Sequence, residues 1–268
     1  MAESLKITSI GQGLPLVFIH GWGLNSGIWQ PLAERLSSDY QVITIDLPGY
    51  GLNVNSSITS YTLENICQQI TEVISKPALY IGWSLGGLVA TKMSLLYSDQ
   101  VLGLVTVTSS PCFIEKSSVE KKMWPGIKPT LLGAFHHQLA DDTKKTIDGF
   151  LKIQAMGSPH IRQDLKKIKA LIFQYPMPSR KILDDSLALL ETVDLREDLH
   201  KITQPFLRLY GRLDSLIPKS VPPLVDYLAE NSESYIFQQA SHAPFISHED
   251  EFYQTLIAWI KTNIKKIG

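Results

Sequence analysis

Three polar residues stand, in chain order, just past apolar runs: Ser84, Asp214 and His242. A serine hydroxyl is a weak nucleophile until a base takes its proton and a third group orients that base, so the chemistry these types suggest is acyl transfer. The serine lies in Gly82-Trp83-Ser84-Leu85-Gly86. Ala78–Ile81 before it reads as a buried strand, and Gly87–Leu96 after it has helical periodicity without a breaker. Strand, G-x-S-x-G and helix make a turn tight enough to strain the serine outward at the top of a sheet. Its glycines are steric requirements, because a side chain at either position meets the neighbouring strand or helix.

The acid and the base have matching settings. Phe206–Gly211 reads as a strand with Asp214 just beyond it, and Ser234–Phe237 reads as the next, followed by the loop that holds His242. Reactive groups on an open parallel sheet sit in such loops, at the carboxyl ends of strands. Asp46 precedes the serine and is expected to hold a turn in Asp46-Leu47-Pro48-Gly49-Tyr50-Gly51. Asp194 and Asp198 precede the strand that presents Asp214 and suit a helix face or cap. Acyl transfer also needs two preset N–H donors for the developing oxyanion. One is expected from Leu85, next to the nucleophile, and the other from Trp22 in the His20-Gly21-Trp22-Gly23 turn. His20 is read as a pin for that turn. The other histidines show no metal spacing, His136 and His137 being adjacent rather than four apart. No metal and no cofactor are expected.

The elements that must place these residues follow from the apolar pattern. Leu14–Ile19, Gln41–Ile45, Ala78–Ile81 and Val101–Thr106 read as strands with helical patterns between them, which predicts a mostly parallel sheet covered on both faces. From Cys112 to Lys201 the pattern becomes amphipathic helix with no strand, and alternation resumes at Pro205 and ends in a helix over Asp250–Lys265. The predicted organisation is an α/β core of residues 1–111 and 202–268 with a helical cap inserted over 112–201.

Composition narrows the class. At 268 residues and a formal net charge of −1, the chain has room for one domain with a cap and no global field for nucleic acid or an acidic membrane. Met1–Lys6 has no signal-like apolar run, no stretch reaches a membrane span, and Cys67 and Cys112 read as free thiols. A reducing cytoplasm is therefore expected, and the chain is taken to act as a monomer. The cap alone is uneven, with nine basic against two acidic residues between Lys144 and Lys181. Such a face is either simply solvated or a dock for an acidic partner.

The chain resembles the α/β-hydrolases and, within them, the pimeloyl-[acyl-carrier protein] methyl ester carboxylesterases of biotin synthesis. The similar stretches are His20–Gly23, Gly82–Gly87, Ser109–Phe113, Phe150–Gln154, Pro205–Gly211 and Ser241–His248. The elbow is shared widely; tryptophan before the nucleophile together with Phe150-Leu151-Lys152-Ile153-Gln154 is narrower. The resemblance implies Ser84, Asp214 and His242 as the triad, with substrate contacts at Trp22, Ser84, Leu85, Phe150, Leu151, Lys152, Ile153, Gln154 and His242. It also implies an acyl-carrier protein as partner, met by Lys145, Arg162 and Lys166. Gly149 stands where that pattern has another arginine, a departure that weakens or rearranges the dock. Two other readings stay open on the residues alone: a general short-chain carboxylesterase acting on small esters, or a related C–C or peptide-bond hydrolase on the same triad, and a ligand receptor that does no chemistry.

Overall fold

The structure is a computed structural model that describes residues 4–117, 123–156, 158 and 160–264. Met1–Glu3 and Lys265, the expected end of the last helix, lie outside the described residues.

Short runs rich in branched aliphatics build the sheet, since such side chains pack well on a pleated surface. Its strands are β1 (Ile7–Ile10), β2 (Pro15–Ile19), β3 (Gln41–Ile45), β4 (Ala78–Trp83) and β5 (Val101–Val107). After an excursion that carries the short β6 (Lys116–Ser117) and β7 (Met123–Trp124), the sheet is completed by β8 (Phe206–Gly211) and β9 (Ser232–Phe237). Every residue of β2 and β4 is buried, as expected of central strands covered on both faces. Strand order is β1-β3-β2-β4-β5-β8-β9, all parallel except β1, which runs antiparallel to β3. The chain runs outward from β2 to β3 and then returns to β2's other side as β4. That reversal opens a crevice at the carboxyl ends of β2 and β4, where ligands bind open α/β sheets.

Helices α1 (Gln30–Leu36), α2 (Leu63–Val73) and α3 (Leu85–Leu96) follow β2, β3 and β4. The excursion holds α4 (Pro129–Asp141), α5 (Thr143–Ala155), α6 (Ile161–Ile172) and α7 (Arg180–Thr192). Their starts have local causes: Asp142 accepts the Lys145 N–H at the head of α5, and Ser179 accepts that of Ile182 at the head of α7. α8 (Val221–Leu228), α9 (Pro244–Ser247) and α10 (Glu249–Asn263) complete the fold.

Two elements differ from the sequence expectation. β1 joins the sheet as an antiparallel edge, although its Ile-Thr-Ser-Ile is too short and too exposed to announce itself. The stretch after Cys112, expected to hold no strand, forms the β6–β7 ribbon, with Lys116 opposite Trp124 and Ser117 opposite Met123. Two-residue strands carry no readable alternation, and tertiary contacts hold this ribbon: the Trp124 indole donates to the Cys112 carbonyl at 2.8 Å, and the Arg196 guanidinium stands 5.1 Å over the Trp124 ring. Among the described residues, no helix is long and apolar enough to cross a membrane.

Candidate active site

The turn after β4 is forced by backbone contacts. A Cβ on Gly82 falls 2.1 Å from the Gly86 carbonyl oxygen, and one on Gly86 falls 2.4 Å from that of Ile19. Ser84 takes φ 55° and ψ −116°, outside the favoured regions for a side-chain-bearing residue. Three hydrogen bonds hold it there: Ser84 N–H to the Val107 carbonyl (2.9 Å), Gly87 N–H to the Ser84 carbonyl (2.9 Å) and the Ser109 hydroxyl to that same carbonyl (2.8 Å). Ser84 thus stands at the head of α3 with the neighbouring strand bracing its turn.

Asp214 and His242 lie on the loops after β8 and β9. Asp214 Oδ1 accepts the backbone N–H groups of Leu216 (2.8 Å) and Ile217 (3.2 Å), which leaves Oδ2 for His242 Nδ1 at 2.8 Å. In a neutral ring this bond puts the proton on Nδ1, facing the carboxylate, and leaves the lone pair on Nε2. Nε2 is buried and has no hydrogen-bond partner among the described residues. Ser84 exposes 1% of its surface and His242 0%, so an ester reaches them only when the covering side chains move aside.

The turn after β2 runs alongside. His20 Nδ1 donates to the Gly21 carbonyl (2.8 Å), while Nε2 accepts the Leu47 N–H (3.0 Å). Burial lowers the His20 pKa against the opposing pull of Asp46, in keeping with the neutral ring that these bonds require. Asp46 is buried and accepts from Ser26 N–H (2.5 Å) and Leu52 N–H (2.8 Å), so it ties turns rather than serving the serine. Asp194 pairs with Lys116 and Arg196, and Asp198 with Lys201. A Cβ on Gly21 lies 3.2 Å from the Trp83 ring and 3.3 Å from Ser84 Cβ, which places the Trp22 turn against Ser84. Neither the Trp22 nor the Leu85 N–H has an acceptor among the described residues. The Trp22 indole donates to the Leu183 carbonyl of α7 at 2.9 Å.

The end of α5 closes over the loops that carry Asp214 and His242. Phe150 meets Trp22 edge-on at 4.7 Å, Leu151 is buried, Ile153 is half-buried and Lys152 is exposed. The Gln154 side chain is buried with both amide atoms unpartnered. Carbonyls at this helix end, where intrahelical donors run out, also accept from the loops. Ile153 takes the Ser215 hydroxyl (3.1 Å), Gln154 the His242 N–H (3.3 Å), and Met156 the Ser241 hydroxyl (2.5 Å). Lys145, Arg162 and Lys166 lie exposed on α5 and α6, with no acidic partner among the described residues. They are not part of the buried cluster. Neither type nor spacing singles out Ser109, Ser215 or Ser241 for these bonds; the one usable signal is the polar run Thr108-Ser109-Ser110 at the end of an apolar strand.

The model of the alpha/beta hydrolase fold family matches residues 15–249. A protein named pimeloyl-[acyl-carrier protein] methyl ester esterase from Shewanella woodyi is 46% identical over 97% of this chain and 99% of its own length. One of the same name from Salmonella enteritidis is 45% identical over 90% of this chain and 92% of its own. Among solved structures, an esterase from Exiguobacterium antarcticum superposes with a TM-score of 0.84 at 25% identity, covering 96% of this chain and 95% of that one. A bromoperoxidase from Bacillus anthracis reaches a TM-score of 0.83 at 22% identity over 95% and 94%, a likeness of fold. Matched by the family model from its first central strand to its last helix, and by esterases of near half identity almost end to end, the chain belongs to the α/β hydrolase family.

Proposed function

We propose that this chain is a serine esterase that removes the methyl group from pimeloyl-[acyl-carrier protein] methyl ester in biotin synthesis. The observation that carries the chemistry is His242, held through Nδ1 by Asp214 with a buried, partnerless Nε2. The name borne by relatives at 46% and 45% identity supports the substrate.

In this reading His242 Nε2 takes the Ser84 proton as Ser84 Oγ attacks the ester carbonyl. The Trp22 and Leu85 N–H groups hold the oxyanion, and Asp214 stabilises the imidazolium. Imidazolium returns its proton to the leaving methoxide oxygen, and methanol departs. Water, activated by the same histidine, then releases the free carboxylate and restores Ser84. Phe150 through Gln154 roof the acyl chain, so the distal ester reaches Ser84 while the carrier and its thioester stay at the mouth. Geometry then chooses between two cleavable bonds. The triad, both N–H donors and the roof come from one protomer, so a single chain in the cytoplasm suffices, where its two buried free thiols stay reduced.

The test is incubation with pimeloyl-carrier methyl ester followed by mass analysis. Loss of the methyl group with the carrier still attached is the expected result. Release of the carrier, or turnover of small esters alone, overturns this assignment.

The basic face supplies a second expected result. Arg162 and Lys166 are four residues apart on α6 and so share a face. Reversing both to glutamate is expected to raise KM for the carrier-bound substrate by about 10-fold or more, and to leave p-nitrophenyl acetate turnover at the parental rate. Gly149→Arg, whose Cβ meets open space on α5, is expected to lower that KM. Equal losses on both substrates, or none on either, sink the docking role.

A further inference from the structure

We infer that Thr108 and Trp83 are positioning residues for the base: together they clamp the His242 carbonyl and refer the imidazole to the strand that carries the nucleophile. The inference rests on the proposed triad. Its starting point is a backbone outlier. Among the described non-glycine residues only Ser84 (φ 55°) and Thr108 (φ 42°) have positive φ. For a β-branched residue that conformation is unfavourable, and such strain persists only where the surroundings impose it.

Thr108 follows the last residue of β5, and its N–H is held by the Leu209 carbonyl of β8 at 2.7 Å. The strained turn aims its hydroxyl at the His242 carbonyl, 2.6 Å away. The same oxygen accepts the Trp83 indole N–H at 2.8 Å. Trp83 is the residue before Ser84, and its ring is fixed edge-on by Trp29 (6.4 Å) and Phe245 (5.1 Å). Both clamp residues are fully buried, so neither bond competes with water.

The sheet explains why such a clamp matters. His242 follows β9, the edge strand, with β5 and β8 lying between β9 and β4. Twist varies between neighbouring strands, and across this span any change shifts the base relative to Ser84. Two donors from β4 and the β5 end bypass the intervening ladder. The Gln154 carbonyl holds the His242 N–H from the other side. Both backbone polar groups of His242 are thus taken, which fixes the position from which its ring reaches Asp214.

Thr108→Ala removes the donor and, with the β-branch gone, eases the strained φ. It is expected to lower kcat on p-nitrophenyl acetate by about 10- to 100-fold, with KM moved less than about twofold. Its melting temperature is expected to stay near parental, since relief of strain offsets the lost bond. Thr108→Ser, which keeps the hydroxyl, is expected to restore kcat. Parental kcat in Thr108→Ala overturns the inference, and so does a Thr108→Ser protein as impaired as Thr108→Ala, which assigns the role to the methyl group. Should Thr108→Ala not fold, Trp83→Phe decides: a kcat fall at steady KM supports the clamp, and parental kcat overturns it. An active Ser84→Ala control removes the triad and this inference together; an inactive one beside an unaffected Thr108→Ala removes this inference alone.

Discussion

Ser84→Ala protein is expected to fold with a near-parental melting temperature and to lose p-nitrophenyl acetate turnover by about 10⁶-fold in kcat, the scale on which triads fail when their nucleophile is removed. Stability should hold because the turn's bonds use the Ser84 backbone, not its hydroxyl. Asp214→Asn is expected to cost about 10⁴-fold, for a reason visible in the hydrogen bonds. Oδ1 faces two backbone N–H donors, from Leu216 and Ile217, so the asparagine must keep its oxygen there and turn its NH₂ toward His242. A donor facing Nδ1 drives the proton to Nε2, and the ring can no longer accept from Ser84. Steady-state kinetics and thermal melts on the same preparations check both variants. Ser84→Ala protein that retains more than about a hundredth of parental kcat refutes the nucleophile assignment, since removing any triad member costs far more.

Gly211→Ala is expected to be the most damaging single methyl in the fold. Its Cβ would lie 2.0 Å from the Ser241 carbonyl oxygen and 2.7 Å from that of Ala240, both backbone atoms of the histidine loop. There the acid and base loops cross, with Arg212 N–H bonded to the Phe237 carbonyl and Leu213 N–H to that of Ala240. No side-chain rotation relieves the overlap, so the loops must part and stretch the 2.8 Å Asp214–His242 bond. A loss of about 3 kcal/mol or more is expected. Any folded fraction should have kcat down by about 100-fold, as expected when reacting groups are misplaced by an ångström. Gly149→Ala is the control: its Cβ meets nothing within 4 Å inside α5, and it should stabilise by about 0.5–1 kcal/mol. If chemical denaturation ranks Gly211→Ala beside Gly149→Ala, the close approach of the two loops is wrong.

Some of this architecture was legible in residues alone because its causes are local. Glycines on both sides of Ser84, an apolar run before it and a breaker-free helix after it need only neighbours to be understood. The reading of Asp46 as a turn holder came from the same kind of signal, a Pro-Gly-Tyr-Gly run beginning two residues on. Central strands were clear because burial on both faces leaves unbroken apolar runs, whereas β1 and the β6–β7 ribbon have too few residues to show a period.

What decides how the site is held lies between residues far apart in the chain. The Thr108 and Trp83 bonds to His242 span 134 and 159 residues, and the Ser241 bond to Met156 spans 85. A threonine after a strand and a serine before a histidine have no pattern that names their acceptors. Those acceptors are backbone carbonyls, identical at every position, and only strand order brings a particular one within reach. By itself the sequence determined which apolar runs become central strands and that Ser84, Asp214 and His242 follow strands in that order. Tertiary structure decided which tautomer His242 adopts, which carbonyls brace its loop and which glycines tolerate no methyl, because each depends on distances of a few ångströms between segments that meet only in the folded sheet.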